Sequence, residues 1–168
     1  MSVLRIARLV AAKDLRIEWN SRVFVNQVLP FAGVTMVIFA FALDADSVLQ
    51  RVAPGLVWLA TMFSMLVLVQ RAFAVETADG ALDALRVAGV DPTAIYLGKA
   101  VALGAQLLVL EVVLLFAAVI LYGQTIPADG VVLLVTTLIS ATCGLAAVGT
   151  LYGGLAAGFS GRETLLPL

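Results

Sequence analysis

DPTAIYLGKAVALGAQLLVLEVVLLFAAVILY, residues 91–122, decides the fold. From Pro92 onward the run carries only two charges, Lys99 and Glu111. A helix of roughly 20 residues crosses the hydrocarbon core of a bilayer. This stretch is longer, so it predicts a membrane span over residues 92–122 whose first turns project into water. Asp91 stands where an N-cap acceptor is wanted. Pro92 takes the first helical position, where a missing N–H costs nothing.

Outward from it lie three more apolar runs, at residues 23–43, 54–75 and 131–159. Pro54 suits the first turn of the second run, and Trp58 lies near that end, where an indole prefers the interface. Of the 168 residues, 62% are apolar and 12% charged, against about half and a quarter in a soluble domain. Too little polar surface remains to coat a soluble fold. A net charge of −1 excludes a strongly basic nucleic-acid binder. With no His, the usual general base and metal ligand are missing. One cysteine allows no internal disulfide. The fold class is therefore all-α, a polytopic transmembrane bundle forming a single membrane domain over residues 1–168. Ala40-Phe41-Ala42 mimics a signal cleavage site, but the run before it exceeds a signal core of roughly 7–15 residues, so no cleavage is expected.

The flanks set the orientation. Arg5, Arg8, Lys13, Arg16 and Arg22 share one arc of a helical wheel, with Asp14 and Glu18 opposite. Residues 3–18 read as an interfacial helix with its basic face toward anionic headgroups of the lipid bilayer. The N-terminal segment, the 71–99 loop and Arg162 hold nine of the ten Lys and Arg residues; the 44–53 and 123–130 loops hold only Arg51. The positive-inside rule then places the N-terminus and the 71–99 loop in the cytoplasm. Residues 164–168 begin a new apolar run and stop, which reads as the start of a truncated fifth span.

The 71–99 loop is the sizeable polar insertion. Within residues 77–89, Gly80 to Ala88 can form a short helix capped by Thr77 or Asp79 and stopped by Gly89. Leu82 and Leu85 share a narrow apolar stripe, while Asp83 and Arg86 are i, i+3 neighbours elsewhere on it. Such an element docks on a partner or lies as a solvated loop against the membrane; spacing leaves both open.

Resemblance separates them. Arg71-Ala-Phe73-Ala-Val-Glu76-Thr-Ala-Asp79-Gly80-Ala-Leu82-Asp83 resembles the R-x-F-x-x-D/E-x-x-D-G-x-L-E/D motif of the CcmB family, haem exporter protein B. Arg51-Val-Ala-Pro54-Gly55-Leu-Val-Trp58 is similar to the family's A-P-G-x-x-W opening of span two, and Leu165-Leu166-Pro167-Leu168 to the start of a later segment. The resemblance implies an ABC-2-like permease with about six spans, of which this chain has four. Gln70 departs from the pattern, standing where an acidic residue is common. The resemblance further implies a separate ABC ATPase subunit, contacted through residues 3–18 and a coupling helix at 77–89. Arg71, Phe73, Glu76, Asp79, Gly80, Leu82, Asp83, Leu85 and Arg86 are then its coupling residues. It also implies other cytochrome c maturation membrane subunits, a second permease copy and an inner-membrane location. On this reading the chain is not an enzyme and binds no cofactor or metal itself: haem is handled by the complex and ATP is bound by the partner. The sequence agrees on ATP, since Gly98-Lys99 lacks the rest of a P-loop.

Within the spans, Glu111 is either a substrate- or proton-contacting group or a packing residue bonded to Gln106 or Asn26. Arg71 sits where it can snorkel. Gly149-x-x-x-Gly153 and Gly154-x-x-x-Gly158 are small-residue faces for close helix packing or for a hinge. Three functions compete: a permease for cytochrome c maturation, an ABC-2 permease for another apolar substrate, and a membrane scaffold without energy coupling. The charge split makes a direct prediction. In a Cys143→Ala background, a cysteine at Asp46 reacts with an impermeant thiol reagent added outside whole cells, and one at Asp79 does not; the reverse pattern overturns the topology.

Overall fold

In the computed structural model, residues 2–43, 46–78, 84 and 87–163 are described. The expected 164–168 segment and most of the 77–89 helix lie outside the described residues. Among the described residues the main α-helices are, in order, α1, Val3–Ser21; α2, Leu29–Ala42; α3, Asp46–Ala78; α4, Pro92–Tyr122; and α5, Val131–Glu163. A π-helical turn, Phe24–Val28, leads into α2, and a 3-10 turn, Ala128–Gly130, into α5. There is no strand among the described residues. Phe24–Ala42, Ser47–Ala74, Pro92–Tyr122 and Ala128–Ala157 are each long and apolar enough to cross a membrane. The chain is a multi-pass membrane protein, with four such helices among the described residues.

The ends of α4 follow local chemistry. Asp91 Oδ1 accepts a hydrogen bond from the Thr93 N–H at 2.8 Å, satisfying a donor that the first helical turn leaves free. At the other end Gly123, at φ +61°, takes the left-handed conformation that stops the helix, its N–H returning to the Ala118 carbonyl.

The opening of α3 departs from the expected one. Pro54 lies inside the helix, eight residues after its start at Asp46, not in its first turn. A proline there removes the bond to the carbonyl four residues back, which is Gln50. The Gln124 side-chain amide donates to that carbonyl instead. A substitute donor of this kind is what lets membrane helices carry internal proline.

α4 is the centre of the bundle. Leu103, Leu107, Leu110, Leu114 and Ala118 form its buried stripe, packed in one core with Val28 of the π-helical turn, Ala32 and Met36 of α2 and Ala53, Val57, Ala60 and Leu68 of α3. Among the described residues, α5 adds only Ala146 to the buried members of that core. In lipid, burying leucine against leucine brings packing attraction and little hydrophobic transfer, so close backbone approach matters. Gly98 is such a point. A Cβ there would lie 2.6 Å from Val10 Cβ and 2.7 Å from the Ala7 carbonyl oxygen, so α1 sits directly on the backbone of α4. Tyr122 closes the far end, donating its hydroxyl to the Met36 carbonyl at 2.8 Å.

Gly98→Leu should therefore lower stability by about 1–3 kcal/mol, the range for overpacking, because a backbone carbonyl cannot rotate aside. Gly144→Ala should be neutral or stabilising, since nothing lies within 4 Å of its Cβ position and alanine favours the helix. Thermal unfolding in detergent checks both.

Candidate functional site

The first polar cluster lies where α1 meets the close of α3 and the opening of α4. Ala7, Ala11, Asp14 and Glu18 recur at i, i+4, i+7 and i+11, which places them on one face of α1. That face turns inward, while Arg5, Arg8, Lys13, Arg16 and Arg22 stay exposed. Lys99 is 3% exposed. Its ammonium lies 3.2 Å from Asp14 Oδ2 and donates to the Ala72 carbonyl at 3.1 Å. It also sits 4.8 Å from the centroid of the Phe73 ring, a cation–π distance. One cation thus ties α1, α3 and α4.

Glu18 makes a second tie. Its Oε2 accepts from Arg71 Nε at 3.1 Å. Its Oε1 accepts from the Phe24 backbone N–H at 2.9 Å. That N–H opens the π-helical turn and is one of the donors a helix start leaves free. Between Glu18 and Phe24 the chain bends at Arg22, the one non-glycine residue with positive φ, 54°, among the described residues. Arg71 is therefore paired through its Nε. Sequence reading missed Asp14, Glu18 and Lys99 as site residues. The available signal was the wheel, on which both acids share a face with the small residues Ala7 and Ala11.

Of the predicted coupling residues, the structure brings together Arg71 and Phe73. Glu76 lies in the last turn of α3. Asp79, Gly80, Leu82, Asp83, Leu85 and Arg86 lie outside the described residues. Two of the predicted glycines, Gly153 and Gly154, adjoin the Phe73 ring of this cluster. A Cβ at Gly153 would lie 2.5 Å from the Phe73 ring, and one at Gly149 3.1 Å from Val69 Cγ2. Gly154 is at ordinary contact distance, 3.8 Å, from that ring. Gly158 lies on α5.

The second polar place is Glu111, 1% exposed. Its Oε2 accepts from the Thr142 hydroxyl at 2.6 Å. Neither expected partner, Gln106 nor Asn26, reaches it; both line a groove near the end of α1 instead. Gln106 stands five residues before Glu111, about 140° around the helix at 3.6 residues per turn, so it faces elsewhere. Glu111 Oε1 has no hydrogen-bond partner among the described residues. Glu111 lines a cavity of about 240 Å³ between α3, α4 and α5. It is not part of the first cluster. No group of three His, Cys, Asp or Glu side chains that could hold a metal occurs among the described residues.

Removing one partner of a buried ion pair typically costs about 3–5 kcal/mol. Asp14→Ala should lose on the order of 3 kcal/mol by removing one partner of the buried Lys99, and Asp14→Leu with Lys99→Met should recover part of it. A double-mutant cycle on unfolding free energy measures this coupling. Glu111→Gln keeps the shape and an acceptor for Thr142, so stability should change by under ~1 kcal/mol, with normal membrane insertion on fractionation.

Residues 5–168 match the family described as CcmB protein. The chain is 29% identical over 164 residues to "Heme exporter protein B" of Rhodobacter capsulatus, covering 96% of this chain and 73% of that protein. It is 28% identical over 103 residues to "Heme exporter protein B" of Escherichia coli, covering 61% of this chain and 45% of that one. The chain thus spans less than half of the second relative in that match. No solved structure matches it. With four apolar helices of membrane-crossing length and a family match over nearly its whole length, the chain belongs to the CcmB protein family.

Proposed function

We propose that this protein is the membrane permease subunit of a haem-export complex serving cytochrome c maturation. A separate ABC ATPase drives it, in the inner membrane, with the N-terminus cytoplasmic. The family match supports the haem-export part. The observation that carries the coupling part is the charged cluster at the base of residues 79–86. Arg71 is held by Glu18, and the Ala72 carbonyl by Lys99. A push on the segment leaving α3 is then delivered to α1, α3 and α4 together, because each is bonded to the others there. A lever works only on a fixed base, and these bonds fix it.

The role within the complex is remodelling more than conduction. No His occurs in the 168 residues, so the chain brings no imidazole to haem iron. ATP hydrolysis on the partner would instead shift this subunit against sister membrane subunits that hold haem, releasing a haem chaperone. A second copy of the permease completes the translocation unit.

Leu82 and Leu85 are the proposed docking contacts. Burying both contributes roughly 3–5 kcal/mol before ordering costs, from about 1.5–3 kcal/mol per side chain. Glu76, Asp79 and Asp83 present negative charge to basic groups on the ATPase. The double change Leu82→Asp, Leu85→Asp should release the ATPase from purified membranes and stop cytochrome c maturation, with all four spans still inserted. Retention of both the ATPase and maturation would remove the coupling assignment.

A further inference from the structure

The cavity at Glu111 runs along three helices. Its lining goes from Ala53 to Thr61 on α3, from Val119 to Glu111 on α4 and from Gly130 to Leu138 on α5. Each is a run of eight residue steps, about 12 Å at 1.5 Å per residue. Gln124 to Pro127 border one end of it, and Glu111 and Thr61 lie at the other. Most of the wall is apolar.

The inner end is rich in acceptors. Glu111 Oε2 is used by Thr142, while Oε1 is buried without a partner among the described residues. The Thr61 hydroxyl spends its hydrogen on the Val57 carbonyl at 2.9 Å. Its oxygen can then still accept but has nothing left to give. Thr142 has one hydroxyl hydrogen and two acceptors close by, Glu111 Oε2 and the Leu138 carbonyl, so it too has no donor to spare. A buried acceptor left unmatched is costly. A ligand that brings hydrogens would match these acceptors.

The geometry points to a binding site for a small amphipathic amine, its ammonium on Glu111 Oε1 and Thr61 Oγ1 and a short apolar tail running toward the Gln124–Pro127 end. A carboxylate and an ammonium are tolerated together in a low-dielectric site far better than either alone. An anionic head would bring further acceptor oxygens to an end already lined with them. Trp58 lines the same cavity. At about 240 Å³ the volume lies below the roughly 300–1,000 Å³ of drug-sized pockets. It suits a single short chain and not a porphyrin, whose propionates carry the wrong charge as well. The site is thus distinct from haem handling, and the inference stands whether or not the transport reading does.

The test uses the intact protein in phosphatidylcholine nanodiscs, with n-hexylammonium as probe and hexanoate and hexanol as controls. Hexylammonium should raise the unfolding midpoint by about 3–6 °C at ten times its dissociation constant; hexanoate should not, and hexanol should do so less. The rise should vanish in Glu111→Gln, which keeps the Thr142 contact, and in Leu134→Trp, which fills the cavity without touching Glu111. If one variant fails to fold, the other decides. The inference is overturned by no rise in the wild type, by an equal rise in either folded variant, or by hexanol matching hexylammonium.

Discussion

The ammonium of Lys99 is the constraint on which one whole end of this bundle depends. It sits in the early turns of α4, almost wholly covered, and must have its charge answered there. Water cannot do it, so the protein does: Asp14 from α1, the Ala72 carbonyl from α3 and the ring of Phe73 surround it. Three helices are bound to one another because one cation is buried among them. The alternative, a lysine reaching up to water, is closed by the seating of α1. Gly98, the residue before Lys99, lets Val10 and the Ala7 carbonyl come down onto the α4 backbone.

The same logic places Glu18. A carboxylate on the inward face of α1 has one oxygen for Arg71 and one for the N–H that opens the next helical turn. It therefore fixes both the end of α3 and the angle at which the chain passes from α1 into the first span. Arg22, in its left-handed conformation, makes that bend possible. Local strain of this kind persists only where the surroundings over-determine it, and here the two ends of the bend are held by one side chain. A cluster of ions in this position is poor evidence for high stability, since desolvation offsets much of the attraction. Its value lies in register: it specifies how α1, α3 and α4 meet.

At the other end the bundle is closed by neutral hydrogen bonds. Tyr122 donates to a carbonyl of α2, and Gln124 to the carbonyl that Pro54 leaves free in α3. The bundle is thus pinned by charge at one end and by amide and phenol chemistry at the other. The Glu111 cavity lies between α3, α4 and α5, where α5 contributes little to the common core.

The sequence by itself determined the class of fold and the four spans, because bilayer thickness sets how many apolar residues a helix must carry and lipid offers the backbone no other partner. It also determined the start of α4, since an Asp-Pro pair acts within a single turn. Pro54 shows where such local reading stops. Its helix continues through it because a glutamine seventy residues later supplies the donor, and no window of sequence contains both. Lys99 and Asp14, 85 residues apart, and Glu111 and Thr142, 31 apart, were decided only by the tertiary structure. A charge in a sequence gives no sign of its partner, and which acid neutralises which cation depends on helix rotation and depth. Those are fixed by where small residues such as Gly98 let two backbones touch.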